Sequence, residues 1–264
     1  MNSNKTVLIT GATSGIGFEL ARLFAKERYN MILVSRDIEK LEETAIILTN
    51  EGASDIIIIA KDLAVWHAAA EIYEITRKRG IKIDVLVNDA GMGEFGYFSD
   101  TDLEKELDII QLNISSVVHL TKLYLRDMIK GRGGKILQLA SVAAYQPTPR
   151  LAVYAATKAF VLSFSDALGA ELRETNVTVT TLIPGATDTD FFHKAGMEHT
   201  KAAHHTEDPA LVAQIGYKAL MKGEAHAFAP GVRQEVFKSS LLPNRHVAIM
   251  AEKQMEEEDD SNED

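Results

Sequence analysis

Cysteine is absent from the 264-residue sequence, and so are long apolar runs. Without cysteine there are no disulfides, no thiolate metal sites and no cysteine nucleophile, and the redox state of the compartment stays open. Apolar stretches such as 56–60 are far shorter than the roughly 18 residues that span a bilayer. The polar residues 1–6 leave no room for a secretory leader before the first strand-like run. We therefore expect a soluble, cytoplasmic protein without membrane insertion.

Clustered basic residues are also missing. Lys and Arg number 28 against 38 Asp and Glu, which gives a formal net charge of −10. Because nucleic acids are bound by a Lys/Arg stripe, we expect no nucleic-acid partner. Residues 251–264 hold eight acids and one lysine, which predicts a solvated, disordered acidic tail or, alternatively, a segment that binds a partner. Residues 1–250 show no linker or repeat and are predicted to form one domain.

The sequence does contain a regular alternation of short β-branched runs and longer stretches of helical period. The strand-like runs are 7–10, 31–34, 56–59, 85–87, 136–139, 177–183 and 226–229. The helical stretches between them include 18–28, 38–50 and 64–79. Because near-continuous apolar strands alternating with helices are typical of parallel sheets, the sequence predicts an α/β fold with helices on both faces.

A glycine-rich turn follows the first strand-like run and opens into a helix near residue 18. Its residues are Gly11, Ala12, Thr13, Ser14, Gly15, Ile16 and Gly17. Glycines allow the backbone to approach a pyrophosphate, which the positive end of a helix attracts. The spacing Gly-x-x-x-Gly-x-Gly differs from the usual dinucleotide fingerprint. By itself, the turn is also compatible with a tight turn that binds no ligand.

A tyrosine and a lysine four residues apart are the first catalytic candidates. Tyr154 and Lys158 lie in a helix-forming stretch without proline, so they share one helix face. An ammonium beside a phenol is expected to lower the pKa of Tyr154, which makes it a general acid and base. Alone, the pair is also typical of a packed tyrosine beside a solvated lysine. Ser141, 13 residues before Tyr154, adds a hydroxyl able to stabilise a developing alkoxide.

The glycine turn, Ser141 and the Tyr-Ala-Ala-Thr-Lys segment together resemble the short-chain dehydrogenase/reductase family. The resemblance extends along nearly the whole chain, and around 146–164 it is most similar to a bacterial-type subgroup of general reductases. It implies a Rossmann-type, doubly wound parallel sheet of about seven strands and a nicotinamide cofactor. It also implies that Asn113 is a fourth catalytic residue, which opens its helix and holds a water that passes protons to Lys158.

The end of the second strand-like run indicates which nicotinamide cofactor is bound. The run ends in Ser35-Arg36-Asp37. Family members that use NAD place an acid at the position of Ser35, whereas Arg36 resembles the basic residue that pairs with the 2′-phosphate of NADP. The sequence therefore predicts NADP(H), with a solvated surface arginine as the alternative. Asp37 also fits the acid expected for NAD, but we interpret it as the N-cap of the next helix.

Further cofactor contacts are implied by the resemblance at three other strand ends. They are Asp62 and Leu63 after the third run, Asn88, Ala90 and Gly91 after the fourth, and Pro184, Gly185, Thr187 and Thr189 after the sixth. Within the segment similar to the family's Asn-Asn-Ala-Gly, Asp89 replaces the second asparagine. This replacement adds a charge and removes two amide donors.

Residues 190–206 are predicted to form a variable loop and helix over the substrate. Candidates for its apolar lining, which ordinary packing explains equally well, are Met92, Pro147, Phe191, Phe192 and Met197. Three histidines lie in or beside this segment, at 199, 204 and 205. Carboxylates at ligand spacing are not evident beside them, so we expect no metal site.

The sequence thus predicts an NADP(H)-dependent oxidoreductase that transfers hydride between nicotinamide and a small carbonyl or alcohol substrate. Reduction of a ketone or aldehyde is the expected direction. A non-catalytic NADP(H)-sensing or scaffold protein is the alternative, although the four catalytic residues favour the enzyme. The resemblance also implies a homodimer or homotetramer built through the helices at 103–130 and 152–173. Steroid, fatty acyl, sugar and quinone substrates are not distinguished.

Overall fold

The computed structural model describes residues 5–257, and a seven-stranded parallel sheet lies at its centre. The strands are β1 (Thr6–Thr10), β2 (Asn30–Ser35), β3 (Asp55–Ala60), β4 (Val85–Asn88), β5 (Gly134–Leu139), β6 (Val177–Ile183) and β7 (His226–Phe228). Their order across the sheet is β3-β2-β1-β4-β5-β6-β7. Strands β1 to β3 are added towards one edge of the sheet, and β4 to β7 towards the other. Ligands in such folds bind at this switch point, between β1 and β4.

Helices connect the strands on both faces. They are α1 (Gly15–Lys26), α2 (Ile38–Asn50), α3 (Ala68–Lys78), α4 (Leu103–Ile110), α5 (Ser116–Lys130), α6 (Ala152–Glu171), α7 (Phe191–Ala195), α8 (Lys201–His204), α9 (Pro209–Lys222), α10 (Val232–Ser240) and α11 (Asn244–Gln254). This doubly wound arrangement confirms the Rossmann-type fold predicted from the sequence.

Two apolar layers hold these helices against the sheet. One face buries Phe24 of α1 and Val212 of α9, and the other buries Ile72 of α3 and Leu120 of α5. Successive strand residues point to opposite faces, so a strand covered on both sides must be apolar throughout. All five residues of β1 are buried. This burial on both faces explains why continuous apolar runs in the sequence predicted the strands of the sheet.

The stretch 103–130 was expected as one helix, but a π-helical turn at Gln111–Ser115 separates α4 from α5. Asn113 lies at the centre of this turn. A π turn shifts the backbone hydrogen bonding by one residue and is frequent at functional sites. The structure thus agrees with the expectation that Asn113 opens its helix.

The acidic tail expected at 251–264 differs from the structure over residues 251–257. Helix α11 continues to Gln254, so the expected domain boundary at residue 250 falls inside a helix. Beyond it, Glu256 forms an ion pair with Lys201, and Glu257 forms an antiparallel bridge with Thr200. Composition alone misses these contacts because they are made with a distant part of the chain. Residues 258–264 lie outside the described residues.

Candidate active site

Two cavities meet at the carboxyl ends of the strands. The first, of about 450 Å³, lies beside the glycine turn and the ends of β2 and β4. The second, of about 540 Å³, lies between the end of β5, the segment after β6, and helices α7 and α8. The residues that line both cavities are Ile16, Leu139, Tyr154, Thr189 and Phe191. The predicted catalytic tyrosine therefore stands at the junction.

Tyr154 and Lys158 lie on the first turns of α6, as their spacing predicts. Lys158 Nζ lies 5.6 Å from the centroid of the Tyr154 ring and donates a 2.9 Å hydrogen bond to the carbonyl oxygen of Leu139. Lys158 is 4% exposed, and burial lowers the pKa of its ammonium to about 8, while the charge of Asp89 opposes this decrease. The lysine is thus a buried group facing the tyrosine, and the alternative of a solvated lysine does not hold.

Burial dominates the titration of Tyr154. It raises the pKa of the phenol to about 12, and hydrogen bonding by Ser141 opposes the increase. The pKa of Tyr154 therefore moves in the opposite direction to the decrease expected from Lys158, because burial removes the water that would stabilise the phenolate. At neutral pH the phenol is protonated, which is the form that donates to a carbonyl oxygen.

Ser141 lies two residues beyond the end of β5 and caps the short 3₁₀ helix Val142–Ala144. Its Oγ accepts a 3.2 Å hydrogen bond from Ala143 N–H, which leaves the hydroxyl hydrogen able to donate. Ser141 is buried and lines the second cavity together with Tyr154. Two hydroxyl groups that interact with each other therefore lie in the wall of that cavity.

The side chain of Asn113 joins the π turn to two neighbouring segments. Its Oδ1 accepts from Met92 N–H at 3.1 Å, and its Nδ2 donates to the Met92 carbonyl oxygen and to Thr157 Oγ1, both at 3.0 Å. A Cβ atom at Gly91 would lie 3.4 Å from both Asn113 Oδ1 and Lys158 Nζ. Asn113 thus lies beside Lys158, and its amide fixes the segment that follows β4.

The turn after β1 fits the pyrophosphate of a dinucleotide. Gly11 and Gly15 have φ angles of +71° and +56°, in the left-handed region that favours glycine. A Cβ atom at Gly15 would lie 2.8 Å from Thr189 Cγ2. The N-terminal residues of α1 line the first cavity, where the partial positive charge of a helix attracts phosphate.

The residues predicted to determine whether NADP(H) or NAD(H) binds lie at the end of β2. Arg36 is exposed and lines the first cavity. Ser35 Oγ shares a 3.2 Å hydrogen bond with Thr13 Oγ1, so a neutral group occupies the position of the acid found with NAD. Asp37 accepts from Lys40 N–H at 3.1 Å as the N-cap of α2. This contact agrees with our interpretation of Asp37.

The other predicted cofactor residues fall into three groups. Those that line the first cavity are Gly11, Thr13, Ser14, Gly15, Ile16, Arg36, Asp62, Leu63, Ala90, Gly91, Tyr154, Lys158 and Thr189. Those that line only the second are Pro184, Gly185 and Thr187. Gly17 and Asn88 line neither, since Gly17 is buried in α1 and Asn88 Nδ2 donates to Thr121 and Gln138 inside the core. The Asn88 side chain is therefore placed away from the cofactor cavity.

The segment predicted to cover the substrate contains α7 and α8. Phe191, Phe192 and Met197 line the second cavity, and the rings of Phe191 and Tyr154 are 5.0 Å apart. Met92 lines the first cavity instead. Pro147 is exposed and lines neither, because it precedes the turn that leads into α6.

Two polar residues at the carboxyl ends of the strands are not among the catalytic and cofactor-binding residues predicted from the sequence. Asp89 lines the first cavity, and burial raises the pKa of its carboxyl to about 7 against the effects of Lys158 and Gly17 N–H. Its Oδ1 has no hydrogen-bond partner within residues 5–257. Thr10 Oγ1 accepts from the N–H groups of Asp89 and Ala90, both at 3.1 Å. The replacement of the family's asparagine was the sequence signal for Asp89, whereas Thr10 had none.

The histidine-rich segment and the helices bear on metal ligation and membrane insertion. Across the described range 5–257, no three His, Asp or Glu side chains are grouped closely enough to hold a metal ion. His199 packs against the ring of Phe95, with centroids 5.6 Å apart. In the same part of the chain, no helix combines the length and apolarity needed to cross a bilayer.

Comparison with protein families identifies the chain. The family model described as short chain dehydrogenase matches residues 5–200. The chain belongs to this family. It is a family of dehydrogenases that use a nicotinamide cofactor.

Two curated relatives show how far the similarity extends. The "Very-long-chain 3-oxoacyl-CoA reductase" of Anas platyrhynchos is 34% identical over 228 residues, which cover 84% of this chain and 72% of that protein. The "Probable oxidoreductase EphD" of Mycobacterium tuberculosis is 34% identical over 203 residues, which cover 74% of this chain. The matched region spans only 34% of EphD, about a third of its length.

Solved structures share the fold over almost the whole chain. A short-chain dehydrogenase from Sphingobium yanoikuyae in complex with NADPH is 27% identical with a TM-score of 0.81, and covers 97% of this chain and 99% of its own. The bulky-bulky ketone specific alcohol dehydrogenase from Comamonas testosteroni is 26% identical with a TM-score of 0.78, and covers 91% and 93%. A family member from Burkholderia phymatum in complex with NAD, 20% identical with a TM-score of 0.80 over 98% and 99%, shows the fold alone.

Proposed function

We propose that the chain is an NADP(H)-dependent reductase of ketones or aldehydes. The observation that best supports this is the position of Tyr154, which lines both cavities beside the Ser141 hydroxyl and the buried Lys158. A carbonyl group in the second cavity would have its oxygen near two hydroxyl donors and its carbon towards the first cavity. This arrangement suits hydride transfer between the two spaces.

When bound, the cofactor supplies hydride to the carbonyl carbon or accepts it from an alcohol. In the reductive direction, Tyr154 donates its phenolic proton to the carbonyl oxygen, which becomes the hydroxyl of the product. Ser141 donates a hydrogen bond to the same oxygen as negative charge develops there. The pKa of about 12 for Tyr154 keeps the proton available for this step at neutral pH.

Lys158 and Asn113 act after Tyr154 has given up its proton. The Lys158 ammonium, fixed by the Leu139 carbonyl oxygen, stabilises the phenolate that Tyr154 becomes. The π turn around Asn113 offers backbone groups outside the regular helical pattern, and these hold a water that returns a proton towards Lys158. Because the Asn113 amide is occupied by Met92 and Thr157, we assign the water to the backbone of this turn.

The preference for NADP(H) rests on Arg36. Within residues 5–257 its guanidinium forms no ion pair, and it lines the first cavity next to the neutral Ser35. A planar guanidinium pairs well with the 2′-phosphate, whereas NAD offers only a hydroxyl there. The Sphingobium neighbour in complex with NADPH supports this choice.

The second cavity favours a substrate with a large apolar substituent. Phe192, Met197 and Leu151 are among its walls, and apolar walls bind substituents by excluding water. The Anas relative is named as a very-long-chain 3-oxoacyl-CoA reductase and the Comamonas relative as specific for bulky-bulky ketones, and both names support the same class.

A paired screen tests the proposed function. NADPH oxidation is measured against a panel of ketones and aldehydes, and NADP⁺ reduction against the corresponding alcohols. We expect turnover with apolar ketones and a higher kcat/KM for NADPH than for NADH. If NADPH binds without turnover in either direction and Tyr154→Phe changes nothing, the sensing or scaffold alternative replaces the enzyme.

We also propose that the chain forms a homo-oligomer through α4 and α6. Leu103 and Leu107 of α4 are 65% and 49% exposed, and Phe160 of α6 is 39% exposed. Exposed apolar side chains on adjacent helices are typical of an interface. Light scattering after gel filtration distinguishes dimer from tetramer, and Leu107→Glu is expected to weaken the assembly.

A further inference from the structure

Residues 254–257, which we term the C-terminal strap, contribute to the wall of the second cavity. Gln254 and Met255 line the cavity. Met255 also packs against the buried apolar cluster that contains Met197, as Phe192 and Tyr154 do. The strap thus contacts the same cluster as the predicted catalytic tyrosine, although it is separated from Tyr154 by about 100 residues of sequence.

Helix α8 holds one end of the strap. Lys201 N–H donates a 3.0 Å hydrogen bond to the Glu256 carbonyl oxygen, and Lys201 Nζ forms a 3.0 Å ion pair with the Glu256 carboxylate. Glu257 continues this contact as an antiparallel bridge to Thr200. The hydrogen bond and charge of Lys201 lower the pKa of Glu256, so the ion pair is present at neutral pH.

Arg150 holds the other end. Its guanidinium lies 5.8 Å from the ring centroid of Phe95 and 4.9 Å from that of Tyr97. Nη1 donates to the Met255 carbonyl oxygen at 3.4 Å, and Nη2 donates to the Tyr97 hydroxyl at 3.1 Å. Arg150 adopts a φ of +62°, a costly conformation for a residue with a side chain. A strained arginine anchored between two rings fixes the backbone of Met255.

We propose that Met255 is a specificity-determining residue that limits the size of the apolar substituent admitted to the second cavity. The inference rests on the proposed carbonyl reductase function and assigns its substrate class: ketones whose larger arm is apolar and fits beneath the Met255 thioether. An unbranched methionine adapts to arms of different shape. Its position, set by Arg150 and Lys201, determines how long the arm is.

Binding measurements test this without requiring turnover. Calorimetry with NADP⁺-saturated protein gives the Kd of a short methyl ketone and of a ketone with a long or branched apolar arm. Met255→Ala is expected to shift the ratio of the two Kd values towards the larger ketone by about tenfold, and Met255→Phe to shift it the other way. Met250→Ala, on the exposed side of α11 where Met250 is 57% exposed, is the matched control and keeps the wild-type ratio.

A charge exchange tests how the strap is held. Lys201→Glu should move the Kd ratio in the direction of Met255→Ala, and adding Glu256→Lys should restore it. Wild-type ratios in both Met255 variants would overturn the proposal, as would a change of equal size in Met250→Ala. If the ratios shift as expected while no carbonyl is reduced, the size-limiting role stands and the proposed catalytic function fails.

Discussion

The two cavities differ in which parts of the fold form their walls. Gly11, Asp62 and Gly91, which line the first cavity, each follow a strand of the sheet by one to three residues. The second cavity has strand-end walls after β5 and β6, but it is also bounded by the short helices α7 and α8 and by the C-terminal strap. Sheet ends are fixed by many backbone hydrogen bonds, whereas the short segments depend on a few side-chain contacts. We therefore expect substitutions in the first cavity to affect all substrates alike, and substitutions in α7, α8 and the C-terminal strap to change the choice among substrates.

The largest expected effect is at the junction of the two cavities. Tyr154→Phe removes the proton donor while keeping the ring, so kcat should fall about 100-fold or more for every carbonyl. Cofactor affinity, followed by NADPH fluorescence, should change little. Tyr73→Phe on α3, where the hydroxyl donates to Asp127, is the matched control. A Tyr154→Phe enzyme that loses activity with some ketones only would show that Tyr154 selects substrates and is not the general proton donor.

Arg36→Ala should produce the next largest effect. Losing a charge-assisted contact to the 2′-phosphate is expected to raise the KM for NADPH by about tenfold to 100-fold. The KM for NADH should hardly change, and the ranking of ketones should stay the same because they lie in the other cavity. Arg79→Ala, at the exposed end of α3, is the control. Wild-type efficiency with NADH equal to that with NADPH would contradict the role of Arg36.

These two cavities also differ in how far the sequence predicts them. The sheet follows from its apolar runs, and the first cavity follows from the sheet because its residues stand at strand ends. Local spacing was enough to place Tyr154 beside Lys158. The family resemblance implied that Asn113 opens its helix, which fits the general cost of a polar amide in an apolar helix interior.

The wall of the second cavity formed by the C-terminal strap was much less predictable. Met255 faces it because of a contact with Arg150, which is 105 residues away in the chain. Neither the positive φ of Arg150 nor its position between two rings has a local sequence signal. The acidic composition around Met255 predicted a tail in solvent, since composition carries no information about a distant partner. The raised pKa of Tyr154 was missed for a similar reason, because burial is a tertiary property.

Asp89→Asn should change the pH dependence rather than the maximum rate. The Lys158 ammonium is lost as pH rises through its pKa of about 8, and the Asp89 carboxylate, with a pKa of about 7, raises the Lys158 value. Removing this anion should lower the pKa of Lys158. The decrease in kcat/KM at high pH, which we term the basic limb, should therefore move to lower pH. Asp127→Asn on the surface should leave the limb in place. A limb that stays or moves to higher pH in Asp89→Asn would show that the carboxylate does not act on Lys158.

The smallest expected effect separates Asp37 from its neighbour Arg36. Asp37 caps α2 through Lys40 N–H, so Asp37→Ala should lower the free energy of unfolding by about 1 kcal/mol. Asp102→Ala, which removes the equivalent cap of α4, should cost a similar amount in urea unfolding. Because the Asp37 carboxylate is hydrogen-bonded to its own helix, the ratio of kcat/KM with NADPH to kcat/KM with NADH should remain at the wild-type value in both variants. A shift of that ratio towards NADPH in Asp37→Ala alone would mean that the carboxylate also contacts the ribose, and that Arg36 and Asp37 act together at this end of the first cavity.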